Sequence, residues 1–541
     1  VIRVLARVAG AIVILALTLP VSAPAYAQVA GSNSPAAGAP VGAPVGMHLV
    51  SQDTWIGLHH QFTMLLHIDD PKLAANPNAA IAVSVYASAT SRTAFDRVIA
   101  GQGLGGILDQ PDRLPLSSLP RFGGNIAVSF GLSGSGVQPM LAINRPGVYP
   151  VQVSLVDTGS ATGSFVTWLV VVDTTTTHPV DKPLMVSTIV PVAAAPVTLP
   201  DGTADPNVVS QMQPGGRLDH ISTVLARATK GRTVPLSLAL SPETLESWSN
   251  LAAKTPALAA GLARVRASAR NPATDVLPAP YVPIDATALV AAGLGDHLAA
   301  EFVQGNSVLS QTLGISPFDH PQTVFVDPAD DAAVDQIRQI HQMLVTGVAV
   351  RDGSLIPTTH QFTPAQSFTL DTAAGPAQGV STAPFVEQLL TGPDPAALKA
   401  ERVIAALAEI AYEEPGISRG IVIAPPDNWS PDVGEMSTII DTLRALPIVQ
   451  PVTIDTLMSQ ISPEKTESGA PVERHLQNGN PPATPIGVDE YDAARFQLDA
   501  YEGVVGKNDA VAQQGEEALS IALSTSISPA RAEAELSRVT S

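Results

Sequence analysis

The sequence predicts a multidomain α and β protein: an N-terminal antiparallel β-sandwich of immunoglobulin type over 48–173, a (β/α)7-8-type barrel over 184–461, and a helical C-terminal segment over 489–541. Three observations carry this reading. Short apolar runs separated by Pro, Gly, Asp, Asn and Ser recur up to residue 173, the signature of a sandwich. Beyond it, strand-like and helix-like stretches alternate about seven times over roughly 280 residues, which implies a parallel sheet wrapped by helices. The 541 residues leave room for two or three packed domains.

The chain opens with "VIRVLARVAGAIVILALTLPVSAPAYA". Arg3 and Arg7 precede an apolar stretch from Val8 to Leu19, Pro20 breaks it, and Ala25-Tyr26-Ala27 ends it with small residues. This is the layout of a secretory signal peptide over 1–27, with cleavage before Gln28. Its apolar core is shorter than the roughly 20 residues of a spanning helix, so the reading is an exported chain. A membrane enters it only through an uncleaved signal or a missing C-terminal anchor. The tract 28–47 is rich in Ala, Pro and Gly and reads as a flexible linker.

In the sandwich the alternation is clearest in "GVYPVQVSLVD" (147–157), which puts Val151, Val153 and Leu155 on one face. "DTGSATG" then turns the chain into "SFVTWLVVVD" (164–173), a closing hairpin. "DTTTTHPVDKP" makes 174–183 a second linker. The barrel reading starts at "LMVSTIVPV" (184–192) and continues with the helix "RLDHISTVLARA" (217–228) and the strand "TVPLSLAL" (233–240). Then comes "SPETLESW", where Ser241 suits an N-cap, Pro242 the first helical position and Glu243 the first turn. "VLPAPY" before Asp285 and "TVFVD" ending at Asp327 repeat that plan, and "SFTLD" (367–371) reads as a weaker strand. "RVIAALAEIAYEE" (402–414) is a helix, "RGIVIAPPDNWSP" (419–431) a strand running into a loop, and "VQPVTIDTLMSQI" (449–461) the last unit. A polar stretch over 462–488 reads as a linker to the helical segment 489–541, which is expected to be truncated.

Charge and composition exclude several function classes. The balance of 29 basic against 49 acidic residues is −20. Such a chain repels a phosphate backbone, so no nucleic acid partner is expected. There is no cysteine, hence no disulfide framework and no thiolate chemistry. The histidines form no H-x-x-x-H or H-E-x-x-H pair, and neither a metal nor a cofactor is expected. No G-x-S-x-G elbow occurs, and "GQGLGG" (101–106) lacks the strand and helix that a dinucleotide site requires.

Catalytic groups of such a barrel sit where its strands end. The candidates there are Ser241, Glu243, Tyr281, Asp285, Asp327, Asp427, Asn428 and Trp429. Two carboxylates facing one sugar bond would make a glycosidase, with Glu243, Asp285, Asp327 and Asp427 as the acids. Each of Glu243, Asp285 and Asp327 also stands where a helix favours a cap or a first-turn acid. Tyr281, Asn428 and Trp429 are the ligand-binding candidates, although a tryptophan more often packs in a core.

Five stretches carry a resemblance: "GVYPVQVSLVD", "GGRLDHI" (215–221), "PLSLALSPETLES" (235–247), "LPAPYVPIDATAL" (277–289) and "RGIVIAPPDNWSPD" (419–432). With them the chain resembles actinobacterial, mycobacterial-type secreted or envelope proteins that join an immunoglobulin-like domain to a deacetylase- or glycosidase-like barrel. They are commonly encoded beside the lipid II flippase. The resemblance implies an extracytoplasmic protein of the cell envelope, with cell-wall glycan or envelope proteins of peptidoglycan synthesis as partners. It also implies a further β-domain and a C-terminal membrane helix, and it supplies no assigned catalytic residues. The leading expectation is a non-catalytic or degenerate barrel acting as a binding or scaffold module in cell-wall assembly. The alternative is a glycan-active hydrolase, of glycosidase or deacetylase type, on peptidoglycan or an envelope polysaccharide.

Overall fold

The computed structural model describes residues 46–540 except 159, 316–320, 341–342, 360–361, 480–483 and 485. The signal peptide expected at 1–27 and most of the linker expected at 28–47 lie outside the described residues.

The first part is a two-sheet sandwich. Met47–Gln52, Gln61–Ile68 and Asn125–Leu132 pair antiparallel in one sheet. Ala80–Tyr86, Gly147–Asp157 and Ser160–Val172 pair antiparallel in the other. Phe62, Met64 and Leu66 from the first sheet meet Val151, Val153 and Leu155 from the second in one core, because alternate residues of a strand face the same side. The hairpin runs from the Gly147–Val171 pair to the Asp157–Ser160 pair. Tyr149 is buried and its hydroxyl donates to the Arg145 carbonyl at 2.9 Å.

Ser160–Val172 is apolar on both faces for a physical reason. Phe165, Leu169 and Val171 enter the sandwich core, while Val166, Trp168, Val170 and Val172 join the core of the following domain. Trp168 stacks on Phe95 of the helix Arg92–Ile99, with ring centroids 4.2 Å apart.

The second part is a parallel sheet with helices. Leu184–Val192 pairs with Leu236–Leu240, Gly420–Ile423 and Val449–Val452, and Leu236–Leu240 pairs with Thr274–Val276. A second parallel run joins Gln322–Val326, Val345–Val350 and Ala377–Ser381. An isolated parallel bridge between Thr382 and Val422 links the two runs. Among the described ladders this path begins at Thr274–Val276 and ends at Gln322–Val326.

Two stretches pair in ways that no local pattern shows. The run 367–371 forms Phe368–Leu370, which pairs antiparallel with Ala377–Ser381 and so stands outside the parallel path. The strand inside that path, "AQGVS", carries little apolar signal because Gly379 lies under the Phe368 ring, where a Cβ would come within 2.6 Å. Within 462–488, read as a linker, Glu473–Arg474 pairs with Phe368–Leu370, and Arg474 and Leu476 are buried. At the C-terminal end, helices Val488–Val505, Ala510–Ala522 and Pro529–Thr540 share a core with Leu289 and Leu294 of the parallel-sheet domain.

The helix Ala396–Glu413 joins the sandwich to the parallel-sheet domain. Residues Ala400 to Ala411 are all buried, and the small side chains of Ala400, Ala405, Ala406 and Ala408 allow close packing on both sides. Tyr412 donates to the Val171 carbonyl of the sandwich at 3.0 Å, and Gln52 donates to Glu401 at 3.0 Å. Burial pushes the Glu409 carboxyl up to about 8, with Glu413 adding to it.

A carboxyl whose pKa is higher folded than unfolded stabilises the protein at low pH, and that stability is lost as pH rises through the folded value. The unfolding temperature is therefore expected to fall between about pH 5 and about pH 9, and Glu409→Gln should flatten that fall. Calorimetry across this range checks it; an unchanged slope in the variant would contradict the assignment.

Candidate functional site

Successive parallel strands deliver their C-terminal ends to one mouth, as a (β/α) architecture requires. Ala193, Ser241, Leu277, Asp327, Arg351 and Ala424 each follow the last residue of such a strand. Between them lies a cleft with two lobes. The smaller, about 120 Å³, is lined by Ala193, Ala239, Leu277, Val282, Phe325 and Asp427, among others. The larger, about 360 Å³, has Asp285, Phe302, Phe325, Asp327 and Asp427 on its walls. Phe325, Pro280, Pro283 and Asp427 belong to both.

Asp327 and Asp427 come together in this cleft from strand ends far apart in the chain. Neither caps a helix: the caps of the adjoining helices are Asp330 and Asp432. Asp327 pairs with Arg351, Oδ2 to Nε at 2.7 Å. Asp427 stands on the solvent-reached rim, yet desolvation by the surrounding loops pushes its carboxyl up. The charge of Asp327 adds to that rise, while Arg351 and Arg217 oppose it.

Two arginines, unremarked in the sequence, hold the frame. Arg351 bonds Asp327, Glu387 at 3.1 Å and the Ala424 carbonyl, and its guanidinium lies 5.4 Å from the centroid of the Phe325 ring. Glu387 in turn accepts from the Ala424 amide at 2.9 Å, and burial pushes its carboxyl up. Arg217 donates to the Asp427 carbonyl at 2.8 Å and to the Ala193 carbonyl. It thereby ties the loop carrying Asp427 to the end of Leu184–Val192. Arg351 could have been found by the same strand-end rule, since it is the first charge after "VTGVAV". Arg217, on a helix, had no such signal.

The other candidates do different work. Ser241 caps its helix, its Oγ accepting from the Thr244 amide at 3.5 Å. Glu243 is 1% exposed and lies behind the cleft wall. It accepts from the Val197 amide at 2.8 Å and from Ser247 at 3.0 Å, and burial pushes it up to about 7. Asp285 borders the larger lobe, but its Oδ1 caps Ala286–Ala291, taking the Ala288 amide at 3.0 Å and the Thr287 hydroxyl at 2.6 Å. Glu243 and Asp285 are thus both engaged in hydrogen bonds that hold the local backbone.

Tyr281 is 2% exposed, donates to Glu246 at 2.8 Å and packs with Val282 and Ile521. Trp429 is 5% exposed, packed in the large core of the parallel-sheet domain. Neither ring presents a face to a ligand, because burying so much apolar area outweighs displaying it. Asn428 is exposed at the loop tip. Among the described residues no cluster of three or more His, Asp or Glu could hold a metal ion, and no helix is long and apolar enough to cross a membrane.

Two outcomes test this electrostatic arrangement. Asp327→Asn should lower the titration midpoint of Asp427 and Arg351→Met should raise it, as read from carboxyl NMR signals. Arg351→Met should also cost about 3 kcal/mol in denaturant unfolding, since it strands the buried Glu387 carboxylate.

Against known proteins the likenesses are loose. The chain is similar to the 4-alpha-glucanotransferase of Thermococcus litoralis at 10% identity, covering 60% of this chain and 45% of that one, with a TM-score of 0.38. It therefore spans less than half of that enzyme. A GH57-type branching enzyme of Pyrococcus horikoshii gives 9% identity over 66% of this chain and 88% of that one, with a TM-score of 0.45. An alpha-mannosidase of Enterococcus faecalis gives 12% identity over 66% and 41%, with a TM-score of 0.43. At such scores none of them carries an argument about fold or reaction. No curated protein matches. Residues 1–536 match a family of unknown function, DUF6049, and the chain belongs to that family.

Proposed function

We propose that this is an exported cell-envelope protein whose mouth cleft binds and hydrolyses an envelope glycan, with Asp427 and Asp327 as the working carboxylates. One observation supports this above others: two acids from separate strand ends line one cleft, neither is spent on a helix cap, and the charge of one raises the other. Asp427 in its acid form gives its proton to the glycosidic oxygen as the bond to C1 breaks. Asp327 stabilises the positive charge that develops on the sugar. Water then supplies hydroxyl to C1 and its remaining proton returns to Asp427.

In this reading the first domain is an immunoglobulin-type sandwich, supported by the Tyr149 hydroxyl bond to the chain four residues upstream. The parallel domain is a (β/α) barrel open between Thr274–Val276 and Gln322–Val326. The signal-like segment at 1–27 supports export.

A second reading, a wall-binding scaffold working with envelope proteins of peptidoglycan synthesis, has its own support. Tyr281 and Trp429 are turned inward, so the aromatic platform common in sugar sites is absent at those two positions, and Arg351 already occupies Asp327.

Incubating the purified protein with isolated bacterial cell wall separates the two. Release of reducing ends that drops at least about 100-fold in Asp427→Asn and in Asp327→Asn supports hydrolysis. Saturable binding without release, unchanged by either substitution, overturns hydrolysis in favour of the scaffold.

A further inference from the structure

We propose that the smaller lobe of the mouth cleft selects a 2-acylamino sugar by receiving its acyl group beside Asp427. This deepens the glycan reading above and rests on it. The lobe is made by small and aliphatic side chains: Ala193 and Ala239 leave the space, and Leu240, Leu277 and Val282 wall it. At about 120 Å³ against about 360 Å³ for its neighbour, it suits a substituent, with the ring lying toward the larger lobe that holds Asp327.

The walls have few free donors. Pro278, Pro280 and Pro283 line the lobe and have no N–H. The amides around them are already engaged. Leu277 donates to the Leu238 carbonyl at 3.0 Å, Tyr281 to the Glu301 carbonyl at 3.1 Å and Ser241 to the Val192 carbonyl at 3.0 Å. Ala279 donates to Asn306 at 3.2 Å. Against these walls a sugar hydroxyl finds only the Ser241 hydroxyl and the Asp427 carboxyl as side-chain partners, so it recovers little of the hydration it gives up. An acyl methyl placed here removes apolar surface from water on both sides. The proline-rich segment is also fixed from behind, because Gly305 lets the helix Gly295–Leu313 approach the Ala279 carbonyl so closely that a Cβ would collide with it.

The test compares two probes that share a β-1,4 backbone and differ at C2: chitotetraose, which is N-acetylated, and cellotetraose, which carries hydroxyls. In titration calorimetry with Asp427→Asn, which removes turnover, chitotetraose is expected to bind at least about tenfold more tightly. Ala239→Leu, made in the same background, fills the lobe. It should erase that preference while cellotetraose affinity stays within about twofold, the latter showing that the cleft is still folded. Equal affinity for the two probes, or tighter cellotetraose, overturns the acyl assignment and leaves the glycan reading standing. Binding of neither probe overturns both.

Discussion

The helix Ala396–Glu413 is the constraint on which the remaining architecture depends. It is covered by the sandwich on one side and by elements of the parallel-sheet domain on the other, so almost none of its length reaches solvent. That placement explains two features that would otherwise look unrelated. The strand Ser160–Val172 must be apolar on both faces, because one face fills the sandwich and the other meets this helix region. The helix itself must be alanine-rich, because bulk at Ala405 or Ala406 would force the domains apart. Gly420–Ile423 follows within a few residues, so the same anchoring fixes the strand whose end carries Asp427.

At the mouth, cations organise a surplus of acid. Arg351 gathers three strand ends and one helix through Asp327, Glu387 and the Ala424 carbonyl. Arg217 does the same for the Asp427 loop and the end of Leu184–Val192. Such contacts fix position, and Arg351 also opposes the upward shift of Asp427 while bonding only Asp327. An asymmetric pair of this kind is what the proposed division into a proton donor and its partner requires.

Local features were legible in the sequence and long-range ones were not. Ser241 and Asp285 were readable as caps because capping depends on three or four consecutive residues. The first strand of the hairpin, 147–157, was readable because Val151, Val153 and Leu155 alternate with the less buried Gln152 and Ser154. By contrast, the meeting of Asp327 with Asp427 depends on strand pairing across a hundred residues, to which no local pattern responds. Ala377–Ser381 escaped because a strand packed under a phenyl ring uses glycine where an apolar side chain would advertise it. The orientations of Tyr281 and Trp429 are set by tertiary packing, and an aromatic in a proline-rich loop reads alike whether it faces in or out.

The central claim, that Asp327 and Asp427 form one hydrolytic pair, is tested most directly by incubating N-acetylated oligosaccharide with the protein in oxygen-18 water and weighing the fragments. One heavy oxygen is expected at each new reducing end, with no labelled fragment formed by Asp427→Asn. Oligosaccharide that binds the unaltered protein yet stays intact and unlabelled would contradict it.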